Sequence, residues 1–262
     1  MASIDITLLL TILLIGVVVS FLSGLLGIGG GIIMAPALFY LLPLLQVGQF
    51  DMKTVSGLTI TQGLFACLSA ALRYGRYRFV SRPLVICMGS TILVSSLVGA
   101  LLSKFVTEQL LLGIFASLAL IAAGLMFMPQ TREEREVEAD QVTFHKPLAV
   151  LIALVIGLLG GMVGQGGSFI LIPLMLSLLK LPTRIALGSN LAIVFLSSLA
   201  GFLGKYVTHQ IPLQPALALI AGAVPGAQLG GYVSCRTKVA FLRHLLALII
   251  TLAALRMWYE IF

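Results

Sequence analysis

Carboxylates are almost missing from the apolar part of this chain. Of its nine Asp and Glu, Glu133, Glu134, Glu136, Glu138 and Asp140 crowd one polar stretch, while Asp5, Asp51, Glu108 and Glu260 fall at the ends of apolar segments. Cation carriers and proton pumps place acids at mid-membrane depth to bind the ion or relay a proton, so this pattern argues against a cation substrate and a carboxylate relay. Cysteine is scarce as well: Cys67, Cys87 and Cys235 lie in or beside apolar segments, with no CxxC spacing and no histidine companions. They read as small buried hydrophobes, and no metal site is expected. The glycine runs lack the lysine and the strand–helix context of a phosphate-binding loop, and no hydrolase elbow occurs. No acid, histidine or nucleophile clusters inside the apolar runs, so neither an enzyme activity nor a cofactor is expected.

What is present is hydrophobicity: 60% of the 262 residues are hydrophobic and 10% charged. That balance places the chain in the lipid bilayer. Runs such as Ile6 to Phe21, Leu84 to Leu102, Leu110 to Met128, Leu187 to Leu203 and Phe241 to Leu255 suit helices crossing about 30 Å of hydrocarbon, and β-barrel alternation is absent. The formal net charge of +7 comes mostly from short loops between these runs, where membrane topology explains it without a nucleic-acid partner. The first run lacks a basic leader and has a counterpart in the second half, so it reads as retained structure.

A glycine-rich break interrupts the apolar sequence twice. Gly24-Leu25-Leu26-Gly27-Ile28-Gly29-Gly30-Gly31 with Pro36 is matched 137 residues later by Gly161-Met162-Val163-Gly164-Gln165-Gly166-Gly167-Ser168 with Pro173. The chain therefore divides into a first transmembrane repeat over 1–129, a polar linker over 130–147 and a second repeat over 148–262. Each break precedes a limb of about 14 residues, Ile32 to Leu45 or Phe169 to Leu181, too short for an ordinary crossing. This predicts an all-α transmembrane bundle in which each repeat is a glycine-tipped helical hairpin plus three transmembrane helices, over 53–72, 83–103 and 107–128, then 183–204, 212–233 and 239–258.

Loop charges predict that the two repeats insert with inverted topology. The clusters Arg73, Arg76, Arg78, Arg82 and Arg236, Lys238, Arg243 occupy non-equivalent loops, yet both should be cytoplasmic. On that arrangement Lys53, Lys104, Lys205 and Arg256 lie outside, both termini are outside, and the linker is cytoplasmic. If every limb spans and each half has five crossings, the loop sides stay the same, so charge alone does not separate the two.

The interior offers hydrogen-bond donors instead of acids. Backbone N–H groups at Gly29, Gly30 and Gly31, and at Gly166, Gly167 and Ser168, would open the second limb of each hairpin at the positive end of a helix dipole. They could cradle an anion; the competing reading is that the glycines only permit tight turns and close packing. A second matched pair, Lys53-Thr54-Val55-Ser56-Gly57-Leu58-Thr59 and Arg184-Ile185-Ala186-Leu187-Gly188-Ser189-Asn190, supplies Thr59, Ser189 and Asn190, with Gln62 one turn beyond Thr59. Gln165 is the most conspicuous polar side chain of the second tip, and Gln228 is a weaker candidate. Interhelical hydrogen bonding is the alternative for all of them.

The doubled Gly-x-x-Gly-x-Gly-Gly motif with its proline, together with Gly188-Ser189-Asn190, resembles the sulfite exporter TauE/SafE family of membrane permeases over nearly the whole chain. The equivalent of Ser189-Asn190 in the first half reads Leu58-Thr59, a departure from full symmetry. The resemblance implies movement of sulfur-containing anions such as sulfite, thiosulfate or organosulfonates, which makes a secondary permease the expected function; in a bacterial inner (cytoplasmic) membrane the loop charges put both termini in the periplasm. An anion channel and a membrane assembly factor are the alternatives, and a homo-oligomer is compatible with the sequence.

Overall fold

The computed structural model describes residues 6–29, 31–76, 79–126, 142–164 and 167–234, with Ala139, 236–238 and scattered positions between 241 and 255. The fold is helical throughout these residues: α1 (Ile6–Leu26), α2 (Gly31–Pro36), a π-helical stretch (Ala37–Leu41), α3 (Leu42–Leu44), α4 (Met52–Arg76), α5 (Arg82–Leu102), a 3₁₀ turn (Ser103–Phe105), α6 (Glu108–Met126), α7 (Lys146–Val163), α8 (Ser168–Ser177), α9 (Thr183–Val207) and α10 (Leu213–Ser234). Seven helices among the described residues are long and apolar enough to cross a membrane: α1, α4, α5, α6, α7, α9 and α10. The expected crossing over 239–258 and most of the polar linker lie largely outside the described residues.

The return limbs are short, as their sequence requires. The first, Gly31–Leu44, is apolar but broken. Pro36 offers no N–H to the ladder, and the register widens into the π-helical stretch directly after it. The second, α8, spans Ser168–Ser177 with Pro173 inside it. It is shorter than the limb expected to reach Leu181, because Leu178 and Leu179 N–H both fold back onto Leu174 O and end the helix.

Outer surfaces face lipid. On α1, Ile6, Leu10, Leu14 and Val18 are exposed at a spacing of four, while Ile12, Ile15, Val19, Ser20 and Ser23 point inward. Because lipid is as apolar as leucine, helices associate here through small residues and hydrogen bonds. Gly24 of α1 lies against Ala227 O of α10, and Gly230 of α10 against Phe21 O of α1. The same exchange joins α7 and α5: Gly161 lies against Ser96 O, and Gly99 against Leu158 O. Ser95 Oγ donates to Ala153 O at 3.2 Å, and Ser96 Oγ to Ser197 O at 2.9 Å. Replacing Gly161 with valine should strip this seam and yield aggregated protein on size-exclusion chromatography, whereas Leu14→Ala on the lipid face should leave the elution profile unchanged.

These contacts also fix direction. α1 runs alongside α10 in the same sense, with Gly16 beside Leu219 and Gly24 beside Ala227, and α5 runs with α7 and α9. α4 and α9 cross antiparallel at the centre, with Ile60 against Gly201 and Gly63 against Ser198. Lys53 Nζ donates to Lys104 O at 3.1 Å, so the start of α4 and the end of α5 share one end of the bundle. Arg184 marks the opposite end, its guanidinium 5.4 Å from the Phe79 ring centroid and 3.3 Å from Thr237 O.

Candidate functional site

The first limbs of both hairpins run past the middle of the bundle before they turn. Gly27, just beyond α1, sits against Leu187 in the first turns of α9, and Gly164, just beyond α7, sits against Ser56 in the first turns of α4. Both glycines are left-handed, with φ of 67° and 82°, a conformation that a Cβ disfavours. From there the chain doubles back, and the return limbs begin at the middle of α4 and α9. A methyl group at Gly29 would lie 3.0 Å from Cys67 Sγ and 3.1 Å from both Ser168 Cβ and Val194 Cγ1. The first tip and the start of α8 therefore meet between the two central helices.

The α8 terminus is open toward this meeting point. Ile170 and Leu171 N–H both donate to Gly167 O, at 3.3 and 3.1 Å, which leaves the N–H groups of Ser168 and Phe169 at the turn itself. Ser168 Oγ is fully buried without a hydrogen-bond partner, as are the hydroxyls of Ser23, Ser197 and Ser198. Asn190 ties the tips together: its Nδ2 donates to Gly27 O at 2.7 Å and to Ser168 O at 3.2 Å. Gln62 Nε2 donates to Ser20 Oγ at 2.8 Å, leaving Oε1 unpartnered.

Gly29, Ser168 and Asn190 thus converge, with Gly31 buried at the start of α2, Gly167 at the cap of α8 and Gln62 bonded to α1. Thr59 turns its hydroxyl onto Val55 O of its own helix at 2.7 Å. Ser189 accepts the Ser81 N–H at 2.9 Å where α5 begins, away from the tips. Gly30, Gln165 and Gly166 lie outside the described residues. Gln228 is exposed on α10, where Gly222, Gly226 and Gly230 pack on α1 carbonyls; close packing accounts for that glycine-rich segment.

One residue departs from its sequence assignment. Lys205 was expected as a loop charge outside the bilayer, yet it lies within the last turn of α9 and is fully buried. Its ammonium donates to Ser56 Oγ at 2.6 Å, Gln210 Oε1 at 3.0 Å, Ser103 Oγ at 3.1 Å and Met162 O at 3.2 Å. None of these partners is an acid. They come from α4, the turn after α5, the end of α7 and the α9–α10 turn, so a single cation gathers strands of packing from both halves at the Lys53–Lys104 end. A signal was available in the sequence: Tyr206 and Val207 continue the apolar run beyond Lys205, which places it inside the segment. Asp51 and Glu108, the acids among the described residues, are both exposed at helix starts.

Among the described residues seven helices are long and apolar enough to cross a membrane and no acid is buried, and comparison with known proteins gives the family. The sulfite exporter TauE/SafE family model matches residues 12–257. The chain belongs to the TauE/SafE family. It is a membrane transporter, and not an enzyme. Among its relatives, a Bacillus subtilis (strain 168) protein described as probable membrane transporter protein YunE is 26% identical over 95% of this chain and 97% of its own length. A protein of Haemophilus influenzae, also described as a probable membrane transporter, is 25% identical over 97% of this chain and 99% of its own length. No solved structure matches the chain.

For this TauE/SafE member the geometry makes Gly29 a sharp test. Its φ of 69° and the 3.0 to 3.1 Å approaches of three neighbours mean that Gly29→Ala adds both backbone strain and overlap, together about 1–3 kcal/mol. A lowered melting temperature in detergent and reduced flux are the expected readings; unchanged values for both would remove Gly29 from the site.

Proposed function

We propose that this transporter is a secondary permease for a small sulfur-containing anion such as sulfite, thiosulfate or an organosulfonate, bound where the two hairpin tips meet. The observation that carries the reading is the convergence of the open α8 terminus, the Gly29 turn and unpartnered buried hydroxyls at mid-bundle, with no buried acid among the described residues to repel an anion. Helix N-termini stabilise negative charge by about 0.3–1 kcal/mol each at exposed sites and up to about 2 in partly buried ones. In this reading Ser168 and Gly167 hold the anion with Gly29–Gly31, Gln62, Gln165 and Gly166, while Asn190 keeps the tips together and Thr59 and Ser189 support the surrounding helices.

Two inverted repeats rocking against each other would supply alternating access. Support comes from the reciprocal contacts: Gly27 on Leu187 answers Gly164 on Ser56, and Gly24 on Ala227 answers Gly161 on Ser96. Each pair is related by the same two offsets, 137 residues in the hairpins and 131 in the long helices, and the related helices α4 and α9 run in opposite directions. The Arg-rich end is assigned to the cytoplasm and the Lys53–Lys104 end to the periplasm of a bacterial inner membrane, which puts both termini in the periplasm. Lys205 and its four acceptors then form a latch that closes the periplasmic side.

Flux of labelled sulfite or a sulfonate into proteoliposomes tests the reading. Saturable uptake accelerated by the same anion on the far side is expected. Non-saturating flux without that acceleration would make the protein a channel, and the absence of flux and binding across the whole substrate class would overturn the assignment.

A further inference from the structure

Asn190 contains an atom whose role is fixed by chemistry. Both carbonyls that its amide faces, Gly27 O and Ser168 O, can only accept, so the NH2 group must face them and the amide cannot be turned over. Its Oδ1 is therefore committed as an acceptor, and it is fully buried with no partner. A bare anionic oxygen cannot satisfy it; two acceptors repel. Close by stand groups of the opposite kind, the Ser168 and Phe169 N–H groups, and the unpartnered Ser168 Oγ, which can donate or accept.

Building on the anion-transport reading above, we propose that the ligand of this site carries a donor hydrogen of its own besides its anionic oxygens. The shared chemistry is an oxyanion bearing an O–H or N–H: hydrogensulfite in its HO–SO2⁻ form, or a sulfonate with a hydroxyl or amine on its tail. The donor hydrogen meets Asn190 Oδ1 while the anionic oxygens meet the start of α8. Charge points the same way. The cost of transferring an ion out of water grows with the square of its charge, so a monoanion costs about a quarter of what a dianion of equal size costs. For sulfite the consequence is mechanistic: the proton crosses on the substrate, and no side chain has to ionise.

The test is calorimetric binding to the purified full-length protein in lipid nanodiscs. The first arm compares 2-hydroxyethanesulfonate with 1-propanesulfonate, which replaces the hydroxyl by a methyl group of similar size. The hydroxylated anion should bind roughly ten- to hundredfold tighter, because its analogue leaves a buried acceptor unpaired. The second arm follows total sulfite upward in pH. Affinity should fall about tenfold per pH unit where the dianion replaces hydrogensulfite, while 1-propanesulfonate, which does not titrate there, reports any change in the protein itself.

A fall for sulfite that Asn190→Ala flattens places the donor on the anion head, and discrimination within the sulfonate pair places it on the tail; either supports the proposal. A sulfite fall that persists unchanged in Asn190→Ala, with the sulfonates binding alike, follows from charge alone and overturns it. If the sulfonates bind alike and sulfite affinity stays flat, the proposal is overturned while anion binding stands; if none of the three binds, the underlying transport reading fails instead. Asn190→Ala, where it folds, should abolish the discrimination, and the wild-type sulfonate comparison decides the matter where it does not.

Discussion

Lys205→Met should cut transport at least about tenfold while changing thermal stability little. The reason lies in two large opposing terms. Hydrogen bonds from a charged donor contribute about 1.5–3 kcal/mol each, and Lys205 shares its three N–H hydrogens among four acceptors. Against them stands the desolvation of an ammonium with no acid beside it, a cost of several kcal/mol that methionine removes. The acceptors left behind can also re-pair. Gln210 Nε2 already donates to Ser103 Oγ at 3.2 Å and to Thr208 Oγ1 at 2.9 Å, and Ser103 Oγ to Ala100 O at 2.6 Å. Stability should therefore move by only about 1–2 kcal/mol.

In the proposed rocking cycle transport does not share that cancellation, because there the two halves must separate and close again at the Lys53–Lys104 end. Cys67, buried beside Gly29, is a built-in reporter. With Cys87 and Cys235 replaced by serine, a membrane-impermeant maleimide applied from that end should label Cys67 faster in the Lys205→Met protein than in its parent. Lys205→Arg should not rescue transport, since a planar guanidinium cannot place its donors on four acceptors arranged around a compact ammonium. Wild-type flux in either variant, with unchanged labelling, would show that the cluster has no part in closing the bundle.

Much of the fold is legible in the sequence because membrane physics leaves few choices. Five of the six expected long segments are helices within a few residues of their predicted limits. Both glycine breaks hold left-handed glycines, Gly27 and Gly29 in the first and Gly164 and Gly167 in the second, and they are covered by protein, as lipid requires of broken backbone. What the sequence does not disclose is depth. Composition says that α1 and α7 are apolar, but not that Gly27 and Gly164 travel past the middle to Leu187 and Ser56 before the chain returns. Side-chain commitments are hidden for the same reason: Thr59 and Ser189 look like free donors on a helical face until Val55 O and the Ser81 N–H are seen to occupy them. Lys205 misleads because a lysine near the end of an apolar run usually marks an interface. Only packing shows that its side chain reaches back into the bundle, the direction in which helical side chains lean.

Asn190→Leu should produce the other large effect, and here stability and transport should fall together. Leucine is close to asparagine in reach but offers no N–H, so Gly27 O and Ser168 O lose the donor that now bridges them inside a fully buried site. Ser168 O keeps its place in the α8 ladder, so the main loss is the orphaned Gly27 O, which costs about 1–3 kcal/mol. That is a sizeable share of the roughly 5–15 kcal/mol by which folded domains typically exceed their unfolded states. The loss should be local first. The seams joining α1 to α10 and α5 to α7 do not involve Asn190, so circular dichroism in detergent should retain the helical signal at low temperature while the melting temperature drops by several degrees. At the centre, the Gly29 turn and the start of α8 lose their tie, so anion binding should vanish and Cys67 should become reactive from both sides of the membrane. Retained binding with a fast-reacting Cys67 would mean that the anion is held elsewhere than at the tips. Lost binding with a protected Cys67 would mean that Asn190 contacts the anion without holding the tips together.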